Sequence, residues 1–278
     1  MLNKRLKQGL VVGITSLSFL GCSKNPFTNK KTLAIVPNSQ LFPSSFQQYN
    51  TFLNENKVIT GTEDAEMIAR VGKKIAVAAE RWLMAAGHAD YLKDYKWEYN
   101  LVNDSAVNAW CMPGGKIVFY TGILPIAQNE AGVAAIMGHE VAHALANHGQ
   151  QRMSAGMLQQ VASVAGSVAL SGKSAEQQKL FATAFGYGSQ LGVMLPFSRS
   201  HETEADKIGL TLSAIAGYEP AEAVELWKRM KANSGGQAPP EILSTHPSND
   251  TRIKNLTAWV PEARSEAKKF GVNTFKIN

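Results

Sequence analysis

His139-Glu140-Val141-Ala142-His143 is the stretch on which the reading of this chain turns. It sits in a run from Glu130 to His148 in which Val133, Ile136, Met137, Val141 and Leu145 leave almost no polar face. That is the pattern of a helix buried nearly all round, and Gly149 follows it as a residue suited to end it. A spacing of four puts the two imidazoles one turn apart on one face, where both can bind a single Zn²⁺. Glu140, one residue round from His139, can reach a water beside the ion without ligating it, which is the place of a general base. Buried histidines need partners, and one metal ion satisfies both.

A catalytic zinc takes a third protein ligand and leaves one position open. Candidates lie in Ser198-Arg199-Ser200-His201-Glu202-Thr203-Glu204-Ala205-Asp206, on a helix expected over 199–216. Glu202 and Asp206 share a face of it, and Glu204 points elsewhere. HExxH followed some sixty residues later by ExxxD resembles the HtpX, BepA and LoiP group of gluzincin metallopeptidases, related to the CAAX prenyl proteases. The resemblance covers roughly residues 30–260. It implies a zincin-like fold and one Zn²⁺ per chain, with Glu202 as the third ligand beside His139 and His143. Asp206 would then stand behind a ligating histidine and orient it.

Two further segments carry the same resemblance. Asn108 to Gly122 resembles the strand before the zinc helix, which implies an exposed edge at Asn108, Gly114, Gly115, Lys116, Ile117 and Val118 that pairs with an extended substrate. Thr245-His246-Pro247, followed by Arg252, resembles a later His-Pro element. It implies that His246 either holds the oxyanion or closes the zinc as a fourth ligand, with Arg252 supporting the ligands from behind. His148, near the expected helix C-terminus, and His201, about 100° round its helix from Glu202, are set aside as metal contacts. Nothing near Cys111 marks it as a nucleophile.

Around this centre the patterning predicts a helix from Thr62 to about Ala86 and strands over Lys96–Val102 and Gly115–Thr121. Helices are expected over 155–170, 175–194 and 220–232, with a short one after Asp250. Gln159, Gln160 and Ser163 interrupt the longest apolar stretch, so none of these reads as a membrane span. The fold class is α+β and helix-dominated, an HExxH helix beside a small β-sheet, with residues 51–278 as a single metallopeptidase domain.

Lys4, Arg5 and Lys7 precede the apolar stretch Leu10–Leu20, which is too short to span a bilayer and suits a secretory signal over residues 1–21. Without it the chain carries 25 basic against 22 acidic residues, and no basic stripe survives to bind nucleic acid. Leu20-Gly21-Cys22-Ser23 resembles a bacterial lipobox, with Phe19 a departure from it, and implies lipidation of Cys22. Residues 22–50 then read as a lipid-anchored tether. In a Gram-negative host the protein is expected in the cell envelope, anchored to the outer membrane on its periplasmic side. As no helical-repeat array follows residue 260, the stand-alone LoiP type is the nearest pattern. The expected function is a zinc endopeptidase acting on misfolded or unassembled envelope polypeptides. The alternatives are an envelope chaperone or assembly factor with a capped zinc, and a structural zinc protein.

Overall fold

The computed structural model describes residues 22–189, 194–233, 242, 243, 246 and 250–278. The expected signal segment, residues 1–21, lies outside the described residues, as do 190–193, the end of the helix expected over 175–194, and residues 234–241, 244, 245 and 247–249. The chain opens with an antiparallel hairpin, β1 (Cys22–Lys24) on β2 (Lys31–Leu33), followed by α1 (Asn38–Glu55). Residues 22–50 are therefore folded against the core and do not form the expected tether. The reason lies in what they bury. Leu41, Phe42 and Tyr49 face inward from α1, and Tyr49 Oη donates to the Ile117 carbonyl at 3.1 Å. Buried Asn25 donates from Nδ2 to the Leu145 carbonyl at 2.7 Å, at the end of the HExxH helix.

The sheet comprises β3 (Val58–Ile59), β4 (Glu98–Val102), β5 (Ala109–Met112) and β6 (Lys116–Tyr120) in the order β3-β4-β6-β5. β4 and β6 are parallel; the other pairs are antiparallel. Between β3 and β4 runs α2 (Glu63–Ala85), capped by the Thr62 side chain on the Ala65 N–H and led by Glu63, Asp64 and Glu66, which favour the positive end of the helix dipole. Ile68, Val71, Ile75 and Leu83 form its buried face.

This topology corrects the expected substrate edge. Lys116, Ile117 and Val118 lie in β6, which is bonded on both sides and has no edge to offer. Gly114 and Gly115 form the turn before it, at φ 85° and 89°, and Asn108 precedes β5. Among the described residues the sheet ends in β3 on one side and β5 on the other, and of these two edge strands β5 borders the HExxH cleft through Trp110 and Cys111. The local alternation of β6 marked a strand correctly, but its parallel pairing with β4 is a long-range event that period-two patterning does not encode.

The HExxH helix, α3 (Glu130–Leu145), starts where the Asn129 Oδ1 accepts the Gly132 N–H at 2.7 Å. Every residue from Ala131 to Leu145 is buried. It stops earlier than expected: Asn147 takes a left-handed conformation, φ 59°, and reverses the chain into α4 (His148–Ala169). His148 thus opens a helix and does not close one, and Gly149 lies inside α4. There follow α5 (Ala175–Ser189), α6 (Leu195–Ile215), α7 (Ala221–Asn233) and α8 (Asp250–Lys269). The last is 20 residues long, not short, with Pro261 inside it.

α3 crosses α6 at two facing glycines. A Cβ on Gly138 would sit 2.7 Å from the Gly209 carbonyl oxygen, and one on Gly209 would sit 2.7 Å from the Gly138 carbonyl carbon. This contact, one residue before His139, lets the two backbones approach closely enough for side chains of both helices to share a site. The architecture is helix-dominated α+β with a small mixed sheet beside the HExxH helix, as expected. No helix among the described residues is long and apolar enough to cross a membrane.

Candidate metal centre

One turn of α3 presents His139 and His143; α6 presents Glu202 to the same point, and His246 reaches it from the segment before α8. His139 Nε2 lies 3.1 Å from His143 Nε2, 3.2 Å from His246 Nδ1 and 3.3 Å from Glu202 Oε2. His143 Nε2 is 3.4 Å from Glu202 Oε1, which is 2.9 Å from His246 Nδ1. Donors bound at 2.0–2.1 Å in a tetrahedron stand about 3.3–3.4 Å apart, so this set fits zinc in both donor type and spacing.

The surroundings settle which ring nitrogens face the centre. Asp206 Oδ1 lies 3.1 Å from His139 Nδ1 and favours the proton there, with the Nε2 lone pair toward the metal position, while Arg252 Nη2 lies 3.1 Å from both ring nitrogens. Arg252 clamps Asp206 with two bonds of 2.6 Å, from Nε and Nη2, and its Nη1 is 3.2 Å from Glu202 Oε2. Its guanidinium lies 3.5 Å from the centroid of the Trp227 ring. A buried cation with two carboxylates and an aromatic face is well compensated.

These contacts shape the protonation of the site. Burial and Arg252 push the His139 pKa down, but Asp206 and Glu202 outweigh them and raise it to about 9. Burial and the neighbouring imidazoles hold His143 well below its ordinary value. Glu202 is pulled far below the usual carboxylate range because its contacts with His139 and His246 outweigh its burial. Without metal, a proton on His139 supplies the positive charge that the carboxylates demand. Glu140 is also buried, and its Oε1 has no hydrogen-bond partner; His246 Nε2 stands 3.6 Å away. An unpartnered buried carboxylate oxygen costs about 1–3 kcal/mol or more, and a catalytic role is a physical reason to tolerate that cost.

Glu140, His143 and His246 line a cleft with Trp110 and Cys111 of β5 and with His148. Burial pushes the Cys111 thiol well up, which disfavours the thiolate form. Neither His148 nor His201 offers a ligand atom to the cluster, yet His148 is not remote: its Nδ1 lies 3.0 Å from His143 Nδ1. Sequence reasoning passed over this contact, over Glu204 beyond it and over Trp227 beneath Arg252. For His148 a signal existed in Asn147, which tolerates left-handed backbone and so marks a reversal toward the preceding helix. Cys22 opens β1, and residues 1–21 before it lie outside the described residues.

Known proteins place the chain. It is 39% identical to the mitochondrial metalloendopeptidase OMA1 of Schizosaccharomyces pombe over 175 residues, 62% of this chain and 49% of the relative. The human metalloendopeptidase OMA1, mitochondrial, is 26% identical over 275 residues, 94% of this chain and 51% of that one. The beta-barrel assembly-enhancing protease of Escherichia coli is 30% identical over 173 residues, 60% of this chain and 34% of the relative. The chain thus spans about half the length of the OMA1 relatives it matches. These matches overturn the expected outer-membrane, periplasmic location, since relatives from yeast to human bear mitochondrial names. The description "Peptidase family M48" matches residues 71–260, from the middle of α2 to α8 and across every ligand of the centre, and this chain belongs to that family of zinc metallopeptidases.

Proposed function

We propose that the chain is a zinc-dependent endopeptidase that cuts extended segments of unfolded or unassembled proteins. The observation that carries this is the meeting of His139, His143 and Glu202 in one cleft with the unpartnered Glu140 Oε1. Zinc held by those three residues supplies Lewis acidity, making a water easier to deprotonate and a carbonyl easier to attack. Glu140 takes the proton of the attacking water at its free oxygen and returns it to the leaving amine nitrogen. Asp206 keeps the His139 proton on Nδ1, and Arg252 keeps Asp206 ionised and in place. An extended substrate pairs with the outer edge of β5, where Cys111 and Trp110 border the cleft.

His246 has two positions to serve in this scheme. Its Nδ1 stands among the ligand atoms, which supports the role of a fourth ligand. Its Nε2 faces the Glu140 side of the cleft, 3.6 Å from Oε1, which supports the role of an oxyanion donor. Membership of a peptidase family weighs against the chaperone reading, and a cluster lined by an unpartnered glutamate weighs against a purely structural zinc. Lipidation at Cys22, as in a LoiP-type lipoprotein, rests on the lipobox-like residues Leu20-Gly21-Cys22-Ser23 alone; an unmodified N-terminal mass from native membranes removes it.

The test is casein cleavage by wild type beside Glu140→Gln, with bound zinc measured in both. Loss of at least about 10³-fold in turnover with zinc still near one per chain is expected. Undiminished cleavage by the variant ends the assignment.

A further inference from the structure

The two zinc-helix histidines are backed differently. Behind His139 stands a carboxylate, Asp206, at 3.1 Å. Behind His143 stands another imidazole: His148, 1% exposed, with Nδ1 3.0 Å from His143 Nδ1. On its far side His148 Nε2 lies 3.2 Å from Glu204 Oε2, and Glu204 forms an ion pair with Lys30, on the turn between β1 and β2. The His148 ring is stacked on His201 at 4.0 Å and 11°. We propose that His148 positions the metal ligand His143, and that Glu204 and Lys30 of the N-terminal hairpin hold His148 in the orientation and tautomer this requires.

The argument is one of proton placement. It rests on the reading that His143 binds zinc through Nε2. A neutral imidazole that ligates through Nε2 carries its proton on Nδ1. That proton points at His148 Nδ1, which can accept it only if the His148 proton is on Nε2. There it meets the Glu204 carboxylate, which is an acceptor. Each step leaves one arrangement: His143 Nδ1–H to His148 Nδ1, and His148 Nε2–H to Glu204 Oε2. The opposite arrangement puts a proton on His143 Nε2, inside the metal position, and sets two acceptors against each other at Glu204. Stacking on His201 fixes the plane of the ring, and the reversal at Asn147 brings it back onto α3.

Histidine ligands lose about 10- to 100-fold in metal affinity when the group behind them is removed. The experiment is zinc competition against a chromophoric chelator on the full chain, with the absorption of the Co²⁺-substituted protein as a second readout. The chains compared are wild type, His148→Phe, His148→Gln, Glu204→Gln and Lys30→Met. His148→Phe keeps the stack without a nitrogen and should weaken zinc about 10- to 100-fold and alter the cobalt spectrum. His148→Gln restores an acceptor and should recover part of the loss. Glu204→Gln should weaken zinc less than His148→Phe, and Lys30→Met least. Circular dichroism of the metal-free chains checks folding, and if His148→Phe is unfolded, Glu204→Gln decides alone. Wild-type affinity and an unchanged cobalt spectrum in the folded variants overturn the proposal while leaving the metal centre intact. Failure of the wild type to bind zinc overturns the metal centre itself, and the proposal with it.

Discussion

α3 and α4 are consecutive helices joined by two residues, and they differ in almost everything that sequence composition suggests should be alike. Both are rich in alanine, glycine and valine. In α3 every residue from Ala131 to Leu145 is buried, pressed against α6 through Gly138 and Gly209. In α4 the buried positions end at Ser154, and Met157, Leu158, Val161, Val164 and Val168 are 40–63% exposed. The same small apolar alphabet therefore builds a close-packed crossing in one helix and an open face in the next. Small residues permit close approach; only a partner backbone makes use of it.

The largest break in that comparison should come from chemistry. Glu140→Gln on α3 should abolish turnover while retaining zinc, and no single substitution on α4 beyond Ser154 should do so. Packing comes next. Gly138→Ala forces a Cβ into the Gly209 backbone and should cost about 2–3 kcal/mol, read by urea denaturation. Gly156→Ala on α4 meets nothing within 4 Å and should stabilise by about 0.4–1 kcal/mol, read in the same way. Equal responses of the two variants would show that the crossing is not tight.

Protonation sharpens the contrast further. The His139 pKa is raised to about 9, above its unfolded value near 6.5. A raised pKa contributes stability that is full below 6.5 and disappears as pH rises through 9. The metal-free protein should therefore lose stability across that window, measured by thermal melts at several pH values. The zinc-loaded protein should not, because the metal occupies the place of the proton. Zinc affinity should climb toward pH 9 for the same reason, by up to about tenfold per unit. No titratable side chain lies between Met153 and Gly172, so hydrogen exchange in that stretch should not follow the same pH course. The smallest effect belongs to Val164→Gln, 63% exposed in the wild type, which should shift stability by less than about 0.5 kcal/mol.

Several features were legible without coordinates. Spacing four in HExxH and in Glu202–Asp206 puts side chains on one face of a helix wherever that helix goes. Thr62 with its following acids, and Asn129 before Glu130, mark helix starts by capping chemistry that acts within one turn. Other features were misread for a common reason. β6 looked like an exposed strand because alternation describes its own two faces and is silent on its neighbours. Residues 22–50 looked like a tether because their polar composition conceals Asn25 and Tyr49, whose partners lie more than sixty residues away. His148 looked like a capping residue because the reversal at Asn147 is a one-residue event inside an otherwise helical pattern.

By itself, then, the sequence put His139 and His143 on one helix face with Glu140 beside them, and Glu202 and Asp206 on one face of another helix; the role of Glu202 as third ligand came from the family resemblance. Those properties repeat every 3.6 residues and need no distant partner. The tertiary structure alone decided that β5 is the edge strand beside the cleft, that His246 stands among the ligands and that His148 backs His143. The first two depend on segments far apart in the chain being brought together, and the third on the left-handed turn at Asn147; none of them follows from a local period.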